Sequence, residues 1–171
     1  MATQGVAAVK VEVLARHLQV SKGSFYWHFK NRQELLEAIL QRWENETREL
    51  IEQSQQAATP KEQLIKLFNL VEQMCQSNHP DPEAAIFIWA NQDPKIQQRV
   101  RILETKRVGY LTKILQDYGF GEKEARHRAE VGYFALMGFW ERLERDSEFD
   151  LNIQEFNHFL LNLLLTPVEQ V

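Results

Sequence analysis

Nine of the twelve residues from 21 to 32 carry polar or close-contact chemistry: Ser21, Lys22, Gly23, Ser24, Tyr26, Trp27, His28, Lys30 and Arg32. Cations, hydroxyls, a phenol, an indole and an imidazole are donors suited to phosphate oxygens and base edges. Arrangements that break bonds are missing. The chain has no Gly-rich phosphate loop, no HExxH pair and no CxxC. Cys75 and His79 stand four apart, but two ligands do not make a metal site. His17, His127 and His158 have no partner at ligand spacing. We therefore expect no enzyme, no metal and no cofactor.

The elements that must position these groups are two short helices. Val11, Leu14, Ala15 and Leu18 share one helical face. Gln19-Val20-Ser21 then breaks the pattern, with Ser21 placed to N-cap a second helix. Two helices around a tight turn form a helix-turn-helix, whose second helix can enter a DNA major groove. Phe25 and Phe29, at i and i+4, face inward, which turns Lys22, Ser24, Tyr26 and His28 outward. Lys22 and Ser24 fall in the first turn, where side chains reach base edges, and Gly23 permits close approach. Tyr26 is placed for a base methyl or a phosphate. Trp27, His28, Lys30 and Arg32 lie where the helix leaves the groove, so phosphate contacts are expected there.

Leu14-Ala15, the run Val20 to Arg32 and Glu34-Leu35-Leu36 resemble the signature of TetR-type transcriptional regulators, continuously over residues 10 to 40. The resemblance implies a dimeric, ligand-responsive DNA-binding protein, usually a repressor, and the same division of contacts within the second helix. Two departures stand out. In that family a full helix precedes the helix-turn-helix, whereas only Met1 to Gly5 stand before it here, about one turn of helix. Lys10 also occupies a position where the family carries a Thr or Ser cap, a loss of ~1 kcal/mol.

The net charge of −4 argues against a general nucleic-acid binder, but its distribution is uneven. Residues 10 to 32 hold five cations against Glu12, a net of +4, which leaves −8 on the rest of the chain. A basic head on an acidic body keeps the remaining mass off the phosphates. One cysteine excludes an internal disulfide, and no apolar run approaches the roughly 20 residues that span a bilayer. No membrane association is expected, and a cytoplasmic location is expected.

Onward from the head, Asn31 and Glu34 read as a capping pair for a long helix to about Gln53, striped by Leu35, Leu36, Ile39, Leu40, Trp43, Leu50 and Ile51. This helix bridges the head to the body. The polar run 53–58 marks a boundary, giving a DNA-binding domain over 1–53 and an effector-binding and dimerisation domain over 59–171. Thr59-Pro60, Asp81-Pro82 and Asp93-Pro94 each open a helix. The third runs long, to a stop at Gly119-Phe120-Gly121. Two more helices follow, about 122–146 and, capped by Asp150, about 151–165. The fold class is all-α: an N-terminal helix-turn-helix head with its first helix cut short, then a helical ligand-binding and dimerisation body.

The last two helices are apolar on more than one face, and Phe159, Leu161 and Leu165 predict an exposed patch. The family resemblance implies a homodimer through a four-helix bundle, with Gly132, Ala135, Phe139, Phe156, Phe159, Leu160 and Leu163 at the interface. Candidate effector-pocket residues are Met74, Phe87, Trp89, Tyr110, Phe134, Met137 and Trp140, soft and aromatic, though each also reads as plain core. The predicted partners are thus a double-stranded DNA operator, a small-molecule effector and a second copy of the chain. The competing reading is a dimeric helical ligand-binding or interaction protein whose incomplete head no longer binds DNA.

Overall fold

The computed structural model describes residues 11–76, 82–146 and 152–167. Among them lie eight helices and no strand. They are α1 (Val11–His17), α2 (Lys22–His28), α3 (Arg32–Ser54), α4 (Pro60–Gln76), α5 (Glu83–Ala90), α6 (Pro94–Tyr118), α7 (Glu122–Arg145) and α8 (Ile153–Leu165).

Local chemistry accounts for most of the ends. At α3 the Asn31 side chain accepts the Glu34 N–H at 2.9 Å, while the Glu34 carboxylate turns back to the Lys30 N–H. At α4 the exchange is reciprocal: Glu62 N–H to Thr59 Oγ1 at 3.2 Å, Thr59 N–H to Glu62 Oε2 at 3.0 Å. Asp93 caps α6 by accepting the Lys95 N–H at 2.9 Å. That helix stops at Gly119, whose φ of 127° is costly for any residue with a Cβ. There the Phe120 N–H reaches back to the Leu115 carbonyl at 3.1 Å, and the Gly119 N–H to Gln116 at 3.0 Å.

Two predicted caps differ. Asp81 and Asp150 lie outside the described residues. Instead α5 begins after Pro82 with no side-chain cap bond, and α8 is capped by Asn152. The Asn152 side chain accepts from Gln154 and Glu155 N–H groups at 2.8 and 3.3 Å, so the helix starts about two residues later than expected.

By packing, the chain divides into two compact units. One takes the chain up to Thr47 together with α5 and the part of α6 that ends at Leu103; the other takes Arg48 through α4, and Glu104 onward. The sequence placed its boundary at 53–58, whereas packing groups α5 and the start of α6 with the head. The core of the first unit is Leu40 and Trp43 of α3 against Ile86 and Ala90 of α5 and Ile96, Val100 and Leu103 of α6. Phe87 meets the Trp43 ring edge-on at 6.4 Å.

In the second unit, Leu64 and Phe68 of α4 pack with Leu111, Ile114 and Leu115 of α6, Ala125 and Ala129 of α7, and Leu160 and Leu164 of α8. Gly132 lets α7 approach α8, since a Cβ there would come within 3.0 Å of a Leu164 methyl. The buried Arg128 closes the far end of α8. It donates to the carbonyls of Leu163 and Leu164 at 2.9 and 3.0 Å, pairs with Glu124 at 2.7 Å and lies over the Phe120 ring at 4.1 Å. Those carbonyls have no intrahelical donor, so a cation there satisfies them and opposes the helix dipole.

Candidate nucleic-acid interface

The head is built from a short turn. The Leu18 N–H returns to the Leu14 carbonyl, and the Val20 N–H to Ala15, both at 2.9 Å. Between them Gln19 takes a φ of 55°, which swings the chain out of α1. Leu18 therefore sits past the last helical residue, off the apolar stripe, and is exposed rather than inward; Ala15 is buried as expected. Ser21 then stands extended, its hydroxyl accepting the Ser24 N–H at 3.0 Å. This is the predicted cap of α2.

Phe25 is buried and anchors the inner face of α2, which packs on α1. Tyr26 meets the Phe25 ring edge-on at 5.3 Å, and Phe29 tilts against it at 5.6 Å. The Phe29 N–H bonds the Phe25 carbonyl and ends the helix, so the Phe29 side chain is half-buried. Outward lie Gly23, Ser24, Tyr26, Trp27 and His28, with Ser21 and Lys30 at the two ends. Trp27 is 82% exposed, with its ring edge-on to His28 at 4.7 Å. Only the backbone of Lys22 is described. Arg32 opens α3, half-buried, on the rim of a cleft that includes Leu36, Trp89, Lys95 and Ile96.

One group escaped the sequence. Arg99 of α6 donates through Nε to Glu44 at 2.7 Å, and through one terminal nitrogen to both oxygens of Glu37 at 2.8 and 2.9 Å. The bond to Glu44, aided by that to Glu37, raises the Arg99 pKa above its already high ordinary value and outweighs the partial burial that opposes it. Glu37 and Glu44 lie seven apart on one face of α3, which signals an acidic stripe. Their partner comes from more than 50 residues away, and spacing could not name it.

The effector candidates are scattered. Phe87 and Trp89 belong to the first unit, the first on Trp43 and the second on the cleft wall. Met74, Tyr110, Phe134, Met137 and Trp140 belong to the second. Tyr110 shares a 2.6 Å hydrogen bond with Ser54, and Phe134 is 65% exposed. The cleft includes Trp89 and none of the other six. Of the residues expected at a dimer interface, Gly132, Phe139 and Leu160 are already buried within the chain, Phe139 stacking on Phe156 at 4.5 Å. Ala135 and Phe156 are half-buried, while Phe159 and Leu163 are exposed. Leu161 and Leu165, expected in the exposed patch, pack against the chain's own core. Cys75 and His79 yield nothing to describe, since His79 and the Cys75 side chain lie outside the described residues.

A capped helix held by its apolar side on a shorter helix, with its polar side open, defines a helix-turn-helix DNA-binding protein. Residues 1–39 match the model of the family described as bacterial regulatory proteins, tetR family. A crystal structure of a TetR transcriptional regulator from Legionella pneumophila superposes with a TM-score of 0.68. The match covers 92% of this chain and 87% of that one at 16% identity, a likeness of fold. No curated protein matches the sequence. The head thus resembles that of the tetR family over residues 1–39, and the all-helical chain has the fold of a TetR transcriptional regulator. Among the described residues no helix is long and apolar enough to cross a membrane.

Proposed function

We propose that the chain is a cytoplasmic, homodimeric repressor that grips a palindromic operator through two α2 helices and lets go when a small molecule binds the body. The observation that carries this reading is an apolar face left open on each of the last two helices. Val131 and Phe134 lie on one side of α7, and Phe159 and Leu163 on one side of α8; all are at least half exposed. A lone chain would keep these side chains in water, and a second copy would cover them. Two copies also supply the two heads that a palindrome needs, about 34–36 Å apart.

The route for release runs through α5. Phe87 presses on Trp43 of α3, so a ligand that shifts α5 also shifts the helix that leads out of the head. The effector must bind the released state more tightly, because equal affinity for both states moves nothing. The test is selection of sites from random duplex DNA, followed by gel-shift titration with ligands found by thermal shift. Inverted repeats, and a ligand that weakens binding to them, are expected. Selected sites without dyad symmetry, or tight ligands without effect on DNA affinity, would count against the proposal.

A further inference from the structure

The open face of α7 is a narrow seam that carries a bump and a hollow. His127, Val131, Phe134, Gly138, Arg142 and Arg145 recur at intervals of three and four, and all are exposed. That spacing keeps side chains in line along one side of a helix, as where two helices pack by knobs and holes. The far end is polar and paired within the chain, Arg142 with Asp146 at 2.8 Å and Arg145 with Glu141 at 3.5 Å. The apolar centre is Val131 and Phe134. Gly138 lies in the same line. A Cβ there would meet nothing within 4 Å among the described residues, unlike one at Gly132, which Leu164 crowds. Glycine inside a helix is less stable than alanine, so packing within the described chain gives no reason for one at 138. Phe134, one turn earlier, is the opposite case: a large ring, tilted against Tyr133 at 6.0 Å and still mostly exposed.

A bump and a hollow one turn apart on a single face are complementary to a copy of themselves. We propose that α7 packs antiparallel on α7 of a second copy, with each Phe134 seated over Gly138 of the partner subunit. One two-fold axis midway between positions 134 and 138 makes both contacts at once. A parallel pair would set ring against ring at one level and leave a void at the next. This rests on the homodimer proposed above, and adds its register and the residue that sets it. Gly138 is then the point of closest backbone approach, and Phe159 and Leu163 of α8 extend the apolar surface.

The test is sedimentation of the full chain carrying Phe134→Ala or Gly138→Leu, each alone and then the two mixed in equal amounts. Alone, the first sets hollow against hollow and the second bulk against bulk, so each should raise the dimer dissociation constant at least about tenfold. Mixed, they should form heterodimers within about threefold of wild-type affinity, because the new leucine then faces the new alanine and Phe134 faces Gly138. Damage inside a subunit would not be repaired by mixing. In a Cys75→Ser background, mild oxidation should link a Phe134→Cys chain to a Gly138→Cys chain, and should not link Phe134→Cys chains to one another. A monomeric wild-type chain would sink the homodimer reading and the register with it. A dimeric wild type whose two variants associate as tightly as it does would overturn the register alone and move the dimer to another surface. Variants that dissociate and do not recover on mixing would also overturn the register, as would disulfides between two Phe134→Cys chains.

Discussion

Gly23 shows how a single position can be read from what surrounds it. A Cβ there would meet only the Ser21 hydroxyl oxygen at 3.6 Å, an ordinary contact. Among the described residues nothing asks for glycine in the first turn of α2, where it costs about 0.5–1 kcal/mol relative to alanine. The open side is the side that would face DNA. Gly23→Ala should therefore raise the melting temperature slightly and lower DNA affinity together; a stabilised protein that binds DNA as before would remove this turn from the groove. Tyr26→Ala, on the same open face, should lower affinity for a selected operator by ~1–3 kcal/mol and spare non-specific DNA. Arg32→Ala should weaken both kinds of DNA and flatten the salt slope by about one unit. The residues of α2 were legible in the sequence because Ser21, Phe25 and Phe29 fix its start and its inner face by spacing alone. Arg99 was not, because a pair formed across more than 50 residues leaves no local trace.

At the level of helices, starts were more legible than faces. Thr59-Pro60 with Glu62 encodes its own start, and both bonds of the capping pair form. The cap of α8 was misplaced because Asp150 and Asn152 have equivalent chemistry two residues apart, and only the backbone decides between them. Asn152→Ala should cost about 1 kcal/mol in denaturant unfolding, the scale of a lost N-cap; no loss would mean that α8 begins elsewhere. Faces failed for a different reason. Helix α7 is apolar on two sides, so composition could not tell Phe139, which is buried, from Phe134, which is open. The small residue at 132 has a specific use, because its place against Leu164 and Leu111 leaves no room for a branched side chain. Gly132→Val should destabilise the fold by about 1–3 kcal/mol through overpacking.

For the whole molecule, the open faces of α7 and α8 set the sharpest expectation. The wild-type chain should sediment at micromolar concentration as a species twice the 20.2 kDa chain mass. Phe134→Glu combined with Phe159→Glu should yield a folded monomer that has lost specific DNA binding. A double variant that remains dimeric would place the partner on another surface. Leu161 is a poor choice for such a test, since it packs on the chain's own core and a charge there would damage the subunit itself. The same distinction applies to the seven residues expected to face a second copy. Three of them, Gly132, Phe139 and Leu160, are buried within one chain, while Phe159 and Leu163 stay open.

The first unit is assembled from two separated stretches of chain. Leu40 and Trp43, which steady the helix leaving the head, are buried by side chains that arrive only with Ile86 and end at Leu103. A gene fragment ending at residue 53 would encode the DNA-reading surface without half of the core beneath it. Such a fragment should collapse or aggregate, with Trp43 newly wetted and its fluorescence shifted to the red. Recombination could not graft this reader onto another sensor by one crossover after the polar run. The stretch through α5 and the start of α6 would have to be inherited with it, so the head and a segment nearly forty residues downstream must change hands together.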